Sequence, residues 1–503
     1  MRLAAPFPPS RRLPIPVLFV ITIMIASCGQ QNSLGDFEGS AAVGNHPESL
    51  DVQYDTGSGT YHISGSGENV WGSEDAFHFV WRQLEGDLSL TADVTWEEEG
   101  GHEHRKAGWM VRGGLEPDAP YADAVVHGNG LIALQYRSTK GGPTAEVQSP
   151  IAAPATIKLD RDGDLFTLHV ARPGQDFQPI GSVTVEMDDP VYAGLAVTSH
   201  DSTRTDTAVF TNVGVESFGV IADDDRVVES TLEIINVETG ERRIVRRAKE
   251  HFEAPNWSRD GSTLIYNSQG SLYSIPVTGG TPEKINTGFA DRCNNDHGLS
   301  PDGTQLVISH SPENQSLIYV LPATGGEPRL VTENGPSYWH GWSPDGRMLA
   351  YCAERNGNYD IYVIPVEGGQ EVRLTTAEGL DDGPDYSPDG QYIFFNSVRT
   401  GQMKIWRMRA DGTEQIQFTP DDEYGDWFPH PSPDGKWIVF VSYDKSVEGH
   451  PPNKNVVLRI MPMEGGEPRI LATLFGGQGT INVPSWSPDS KEVAFVSYRL
   501  VAP

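Results

Sequence analysis

The chain has 503 residues, 37% of them hydrophobic, and a formal charge of −32 from 69 acidic and 37 basic residues. That length and apolar content exclude a largely disordered chain and suit roughly two to four domains, while the charge excludes nucleic acid or an anionic membrane surface as a partner held electrostatically. The 54 Gly and 37 Pro, with many Asp-Gly and Gly-Gly pairs, indicate frequent short turns and an all-β fold.

Residues 1–28 read as a targeting segment. Arg2, Arg11 and Arg12 precede an apolar run from Leu13 to Ala26, which is too short for a comfortable membrane span and ends in Ile25-Ala26-Ser27-Cys28. That ending resembles the bacterial lipoprotein box. The resemblance implies acylation of Cys28, attachment to the membrane through lipid alone, and a cell-envelope location. Gly29 and Gln30, in place of Asp, match the outer-membrane pattern, with the protein facing the periplasm or the exterior. The alternative is an ordinary secretory signal with an incidental Cys. Residues 29–45 are polar and read as a tether.

From 46 to 217 the sequence alternates with period two in DLSLTADVTW, GLIALQY, LFTLHVA, SVTVEM and GLAVTS, separated by Gly, Pro and Asp turns, which predicts a β-sandwich. The stretches GSGENVWGSEDAFHFVW, KAGWMVR, LQYRSTKGG and LAVTSHD resemble the concanavalin A-like (laminin G-like) sandwich modules found beside bacterial carbohydrate-active domains. Trp71, Trp81 and Trp109 offer faces for sugar rings, with core packing the expected job for at least two of them. In the acidic run Glu97 to Arg105, His102, Glu103 and His104 have the chemistry of a metal site or of a solvated loop.

Residues 218–229 read as a linker, and residues 230–503 form a repeat array. The markers WSRDG (Trp257), LSPDG (Leu299), WSPDG (Trp342), YSPDG (Tyr386), PSPDG (Pro431) and WSPDS (Trp486) are spaced by 42 to 45 residues and then by 55. In each unit a strand ends at the marker and Ser-Pro-Asp-Gly makes a tight turn. A second apolar strand, a third, a Gly-Gly turn and a fourth follow, which is one propeller blade. After Trp486 only KEVAFVSYR remains, while TLEIINV (Thr231 to Val237) and ERRIVRR (Glu241 to Arg247) have the pattern of third and fourth strands. The two ends of the array are therefore expected to close a six-bladed ring. The repeats resemble the propeller of the TolB family, a periplasmic component of the Tol–Pal envelope system. That likeness implies the fold and an envelope protein or peptide as partner. It does not extend to the domain ahead of the propeller, which is α/β in that family.

The innermost strand of a blade lines the central channel, so residues just ahead of each marker converge near the axis. They are HFEAPN (His251 to Asn256), CNNDHG (Cys293 to Gly298), PSYWHG (Pro336 to Gly341), LDDGPD (Leu380 to Asp385), GDWFPH (Gly425 to His430) and INVPS (Ile481 to Ser485). Loops between second and third strands add Glu354, Arg355 and Arg399, and the insertion SYDKSVEGHPPNKN adds His450 and Lys454. Tyr338, Trp339, Glu354, Arg355, Asp381, Arg399, Trp427, His430 and His450 are thus candidate ligand-binding residues for a polyhydroxyl or anionic sugar.

His297 and His340 hold equivalent places in adjacent blades, so their rings are expected to meet over the channel. With Asp296 and Asp382 they form a candidate catalytic group, and with His430 a candidate ligand set for a divalent metal cofactor. A resemblance to oligogalacturonate lyases, propellers with a similar blade motif and a histidine-bound metal, implies β-elimination. A facing carboxylate pair would equally permit glycoside hydrolysis. Three readings stay open: channel groups satisfied by one another and by buried water, docking of a protein or peptide, and carbohydrate recognition or turnover. Cys293 and Cys352 are read as two buried thiols, with a disulfide as the alternative in an oxidising compartment.

One outcome follows from the anchor alone. Cys28→Ser should block acylation and leave the precursor uncleaved. Mass spectrometry of the membrane fraction checks this, and a wild-type mature protein without a diacylglycerol mass would refute it.

Overall fold

The structure, a computed structural model, describes residues 34–45, 51–313 and 315–503. Cys28 and the segment before it lie outside these residues. Among the described residues there is no α-helix, and the strands divide into a sandwich and a propeller.

The sandwich has two antiparallel seven-stranded sheets. One runs in the order Gly39–Val43, Phe77–Leu84, Val191–Thr198, Lys106–Arg112, Tyr121–His127, Ile132–Arg137, Ala145–Gln148. The other runs Gln178–Thr184, Leu165–Ala171, Thr156–Asp162, Asp87–Trp96, Asp201–Gly219, Thr60–Gly67, Val52–Asp55. Alternation sends Trp109, Val111, Ala122, Ala124 and Leu134 of the first sheet against Leu88, Leu90, Ile157, Leu159 and Leu168 of the second, making one shared core. Trp109 is fully buried there, whereas Trp71 is 40% exposed. The expected tether is shorter than residues 29–45, because Gly39–Val43 pairs with Phe77–Val80 and Trp81 as an edge strand, and Leu34 and Phe37 pack on the core. Gly39 is needed at this edge, since a Cβ would sit 2.5 Å from the Trp81 ring.

The propeller has five four-stranded blades and one three-stranded blade. The inner strands of the five are Glu253–Trp257, Cys293–Leu299, Ser337–Trp342, Asp381–Tyr386 and Tyr424–Pro431. At the marker of blade three, Ser343 Oγ donates to Asp345 Oδ1 (2.6 Å) and accepts from Met348 N (2.9 Å), while Gly346 takes φ 70°. That hydrogen-bonded turn explains why Ser, Asp and Gly recur together. In blades three and six the marker tryptophan then ties its blade to the preceding one. Trp342 Nε1 donates to Gly298 O (3.3 Å) and Trp486 Nε1 to His430 O (2.8 Å).

The sixth blade joins both ends of the array. Val227–Asn236 pairs on one side with Arg242–Ala248 and on the other, over ten residue pairs from Val227↔Val501 to Asn236↔Glu492, with the last strand. Propeller strands therefore begin at Val227, inside the expected linker of residues 218–229. The inner segment of this blade is irregular and keeps a single bridge, Trp486↔Val493, with Pro484 and Pro488 on either side of it.

The closing blade also carries the sandwich. Arg499, in the last strand, pairs with Asp162 (2.7 Å) and Asp160 (3.4 Å), and Arg226 bridges Asp87 (2.7 Å) and Leu500 O (2.9 Å). Arg242 donates to Ile180 O (3.0 Å) while held by Glu233 (2.8 Å).

Deleting residues 227–248 removes the outer half of blade six and bares the last strand. The expected result is loss of the propeller's cooperative thermal transition and association through the open edge, read by calorimetry and size-exclusion chromatography. A truncated protein that melts like the full chain would show that closure is dispensable.

Candidate functional site

In all five regular blades the ladder between inner and second strands slips just ahead of the marker. The slips fall between Glu253 and Asn256, Cys293 and His297, Trp339 and Gly341, Asp382 and Asp385, and Trp427 and His430. Such bulges turn the extra residue out of the ladder and re-aim its side chain. In blades one, four and five the slip passes through left-handed backbone at Ala254 (φ 56°), Gly383 (φ 60°) and Phe428 (φ 54°), each followed by a proline.

Residues within or next to these slips line a cavity of about 590 Å³ to which all six blades contribute. Its polar lining comprises Glu253, Asn294, Asn295, Asp296, His340, Asp382, His450, Gln478 and Asn482, and its rings are Tyr338, Tyr359 and Phe428. No Lys or Arg lines it.

The charges are arranged around His340. Its Nε2 lies 3.2 Å from Asp382 Oδ1, its Nδ1 3.4 Å from Asn482 O, and its ring stacks on Phe428 at 5.8 Å. Burial works against its protonation, but Asp296 and the hydrogen bond to Asp382 outweigh that and hold it up at about 9. At neutral pH His340 is therefore a cation and a donor, and the role of general base does not fit it. Burial also opposes ionisation of Asp382, yet His340 keeps that carboxyl below its usual range. The other two acids are not hydrogen-bonded to His340, and its charge offsets the burial of Asp296 only in part. Burial pushes Asp296 up to about 6, and burial with the nearby Asp296 charge pushes Glu253 up to about 7.

Of the residues expected from sequence, Asp296, Tyr338, His340, Asp382 and His450 meet in this cavity. The expected meeting of His297 with His340 does not occur. Blade two carries two extra residues in its bulge and blade three only one, so His297 falls back into the ladder opposite Ile308, whereas His340 is itself the bulged residue. His297 is fully buried, 3.4 Å from Ile265 O, and burial pushes its imidazole down to about 4. His430 is also buried, between Asp385 (3.2 Å) and Ile481 O (3.1 Å). The three histidines do not form a ligand set, and among the described residues no group of three or more His, Cys, Asp or Glu is placed to hold a metal ion.

Trp339 and Trp427 are packing residues, not sugar platforms. Trp339 is 1% exposed among Val307, Ile318, Leu349 and Tyr351, in space left by Gly298, where a Cβ would lie 2.3 Å from the indole. Trp427 is buried behind Phe428 and His450. The expected basic rim is likewise absent from the cavity wall. Arg355 is held by Glu371 (2.9 Å) and Pro336 O (2.9 Å), Arg399 by Asp381 (2.7 Å) and Gln415 (2.6 Å), and Glu354 shares a hydrogen bond with Tyr359. Cys293 and Cys352 are separate buried thiols, with Cys352 Sγ 3.3 Å from Asp381 O.

Glu253, Asn294, Asn295, Leu380 and Phe428 lie in the stretches expected to converge without being singled out there, and Asn482 is the one residue expected from blade six. Tyr359 and Gln478 lay outside them. The signal for Glu253 and Phe428 was the residue pair that precedes a proline two positions ahead of the marker.

Three comparisons bear on this chain. A model of the TolB beta propeller domain family (PD40) matches residues 339–450. An uncharacterised protein of Agrobacterium fabrum (strain C58) is 55% identical over 273 residues, which is 54% of this chain and 93% of that protein. The solved structure of a putative TolB from Agrobacterium tumefaciens is 55% identical, covers 55% of this chain and 99% of its own, and superposes with a TM-score of 0.53.

Glu253 supplies a test of the cavity's electrostatics. Its raised value means that the stability it contributes is whole below about 4.5 and is lost as pH rises through about 7. Between pH 5 and 8 the wild type should therefore lose up to about 3 kcal/mol relative to Glu253→Gln, measured by denaturant unfolding at each pH. Parallel pH profiles for the two proteins would contradict the assignment.

Proposed function

Over its propeller the chain belongs to the TolB-like β-propeller family, and from that premise we propose a cell-envelope protein, lipid-anchored at Cys28, whose axial cavity binds a neutral saccharide. The observation that carries this reading is the lining itself. The amides of Asn294, Asn295, Gln478 and Asn482 share it with the carboxyl groups of Glu253, Asp296 and Asp382 and with the rings of Tyr338, Tyr359 and Phe428. Planar amides and carboxyls take paired hydrogen bonds from vicinal hydroxyls, and aromatic faces cover the C–H face of a pyranose. A cavity of about 590 Å³ is ample for a short oligosaccharide.

The sign of the cavity argues against an anionic sugar. Glu253, Asp296 and Asp382 face a single cation, His340, and the arginines that would neutralise a uronate are spent on Glu371 and Asp381. Metal-assisted elimination on a uronate therefore loses the support it had in the sequence. The same acidic surplus favours a second reading, a positively charged peptide end from an envelope partner, in keeping with the TolB named in the solved relative.

Titration calorimetry of the full chain with neutral hexose oligomers, oligogalacturonates and a lysine-rich peptide separates these ligands. Neutral oligomers should bind, and Tyr338→Ala and Asn482→Ala should each weaken binding at least tenfold. Tyr338→Ala should retain wild-type stability within about 1 kcal/mol, whereas Asn482→Ala also leaves the buried Gly479 N–H without its acceptor (2.6 Å) and should cost about 1 to 3 kcal/mol, so its binding is read on the folded fraction. Binding of the peptide alone would replace the saccharide reading with the second one, and binding of oligogalacturonate alone would overturn both.

A further inference from the structure

The blades differ at one position that the axial cavity does not use. In every blade a third-strand residue pairs with the residue eight places after the marker and faces the following blade. These pairs are Ser274 with Ile265, Val320 with Val307, Val363 with Ala350, Arg407 with Phe394, Ile460 with Val439 and, in the closing blade, Ile234 with Ala494. At four junctions the third-strand residue shares a core cluster with the aromatic marker of the following blade: Val320 with Trp342, Val363 with Tyr386, Ile460 with Trp486 and Ile234 with Trp257. The junction between blades four and five has neither half of that pair. Its marker is Pro431, without an aromatic ring, and its third-strand residue is Arg407.

A pocket of about 510 Å³ opens at this junction, between Tyr392, Phe394 and Arg407 of blade four and Pro433, Asp434 and Met463 of blade five. It shares no lining residue with the axial cavity. The Arg407 guanidinium lies 4.5 Å from the ring centroid of Tyr392 and 5.7 Å from that of Phe418. It makes no hydrogen bond or ion pair among the described residues, and its nitrogens stay open to solvent. Arg355, Arg399 and Arg459 of the same ring are each held by a carboxylate. A guanidinium set on aromatic faces keeps its N–H edge free, and that edge matches a carboxylate through two parallel hydrogen bonds. We propose that this pocket binds a short peptide by its C-terminal residue, with the α-carboxylate on Arg407 and an apolar last side chain against Phe394 and Met463, at the junction that lacks a marker ring.

Charge selects a ligand with both signs. Asp389 and Glu464 also line the pocket, and neither has a cationic partner among the described residues, whereas Asp434 is paired with Lys436 (2.9 Å). One open guanidinium beside two open carboxylates repels a phosphate or any other polyanion and complements a zwitterion, whose ammonium group the two acids attract. The volume is in the range of pockets that hold small organic ligands, which a short peptide fills and a single carboxylate does not. The residue type points the same way. Val at this place closes the junctions after blades two and three, so Arg407 leaves open a space that packing alone would fill.

The test titrates the full chain, by calorimetry, with the tripeptide Ala-Ala-Phe, its C-terminal amide and its N-acetyl form. The free tripeptide should bind, amidation should weaken it tenfold or more by removing the carboxylate, and acetylation should weaken it at least about threefold by removing the ammonium. Arg407→Val should abolish binding while the melting temperature holds or rises, because Val is the residue that packs in blades two and three. Arg407→Lys keeps the charge without the planar fork and should bind at least about fivefold more weakly than the wild type. The same titration in the Tyr338→Ala chain locates the ligand: a peptide held at Arg407 binds there as in the wild type, and its loss would place it in the axial cavity and overturn the proposal. No binding up to about 10 mM, an amide or N-acetyl form that binds as tightly as the free peptide, or binding that survives Arg407→Val also overturns it. So does displacement of the peptide by about 10 mM inorganic phosphate, which would make the pocket a general anion site.

Discussion

The ladder between Val227–Asn236 and Glu492–Val501 is the constraint on which the rest of the molecule depends. A ring of blades is stable only when no blade has a bare edge, and here the last blade has no outer strands of its own. The segment that supplies them comes from the start of the array, about 270 residues earlier. The cost of closing so long a loop is set against ten residue pairs and the packing of Leu232, Ile234, Ala494 and Val496 in one core. Arg226 and Arg499 add the sandwich to the same blade through Asp87, Asp160 and Asp162. Ring closure and domain docking are thus one structural event.

Within the closed ring, the functional surface is produced by irregularities. A regular inner strand would point alternate residues at the neighbouring blade and at the channel, and the six blades would present similar side chains. The bulges break that alternation, by one residue in blades one, three, four and five and by two in blade two. Asp296, His340 and Phe428 lie within these slips, and Glu253 and Asp382 are the last paired residues before theirs. Positive φ at Ala254 and Phe428, unusual for residues with a side chain, shows that local strain is accepted to place these groups.

The resulting electrostatics differ from what composition suggests. An acidic chain with several arginines near a channel mouth looks suited to an anionic ligand, but each arginine finds a carboxylate within its own blade or the next, as Arg355 does with Glu371 and Arg399 with Asp381. What faces the cavity is one buried His340–Asp382 pair and two carboxyls that titrate near neutrality.

The sequence by itself determined the all-β class, the sandwich, the six-bladed count and the closing strands, because these rest on short-range patterns. Period-two alternation marks strands, and the Ser-Pro-Asp-Gly marker is a local turn whose hydrogen bonds lie within six residues, as from Ser343 to Met348. It also located the stretches that converge on the axis. Tertiary structure alone decided which residue of each stretch faces the cavity. His297 and His340 align in sequence, yet one extra bulged residue in blade two puts the first in the ladder and the second in the site. Trp339 looked like a ligand platform beside His340, and only the space left by Gly298 of the neighbouring blade makes it a core residue. A one-residue shift in register reverses the face of every side chain that follows, and that shift is fixed by packing between blades distant in sequence.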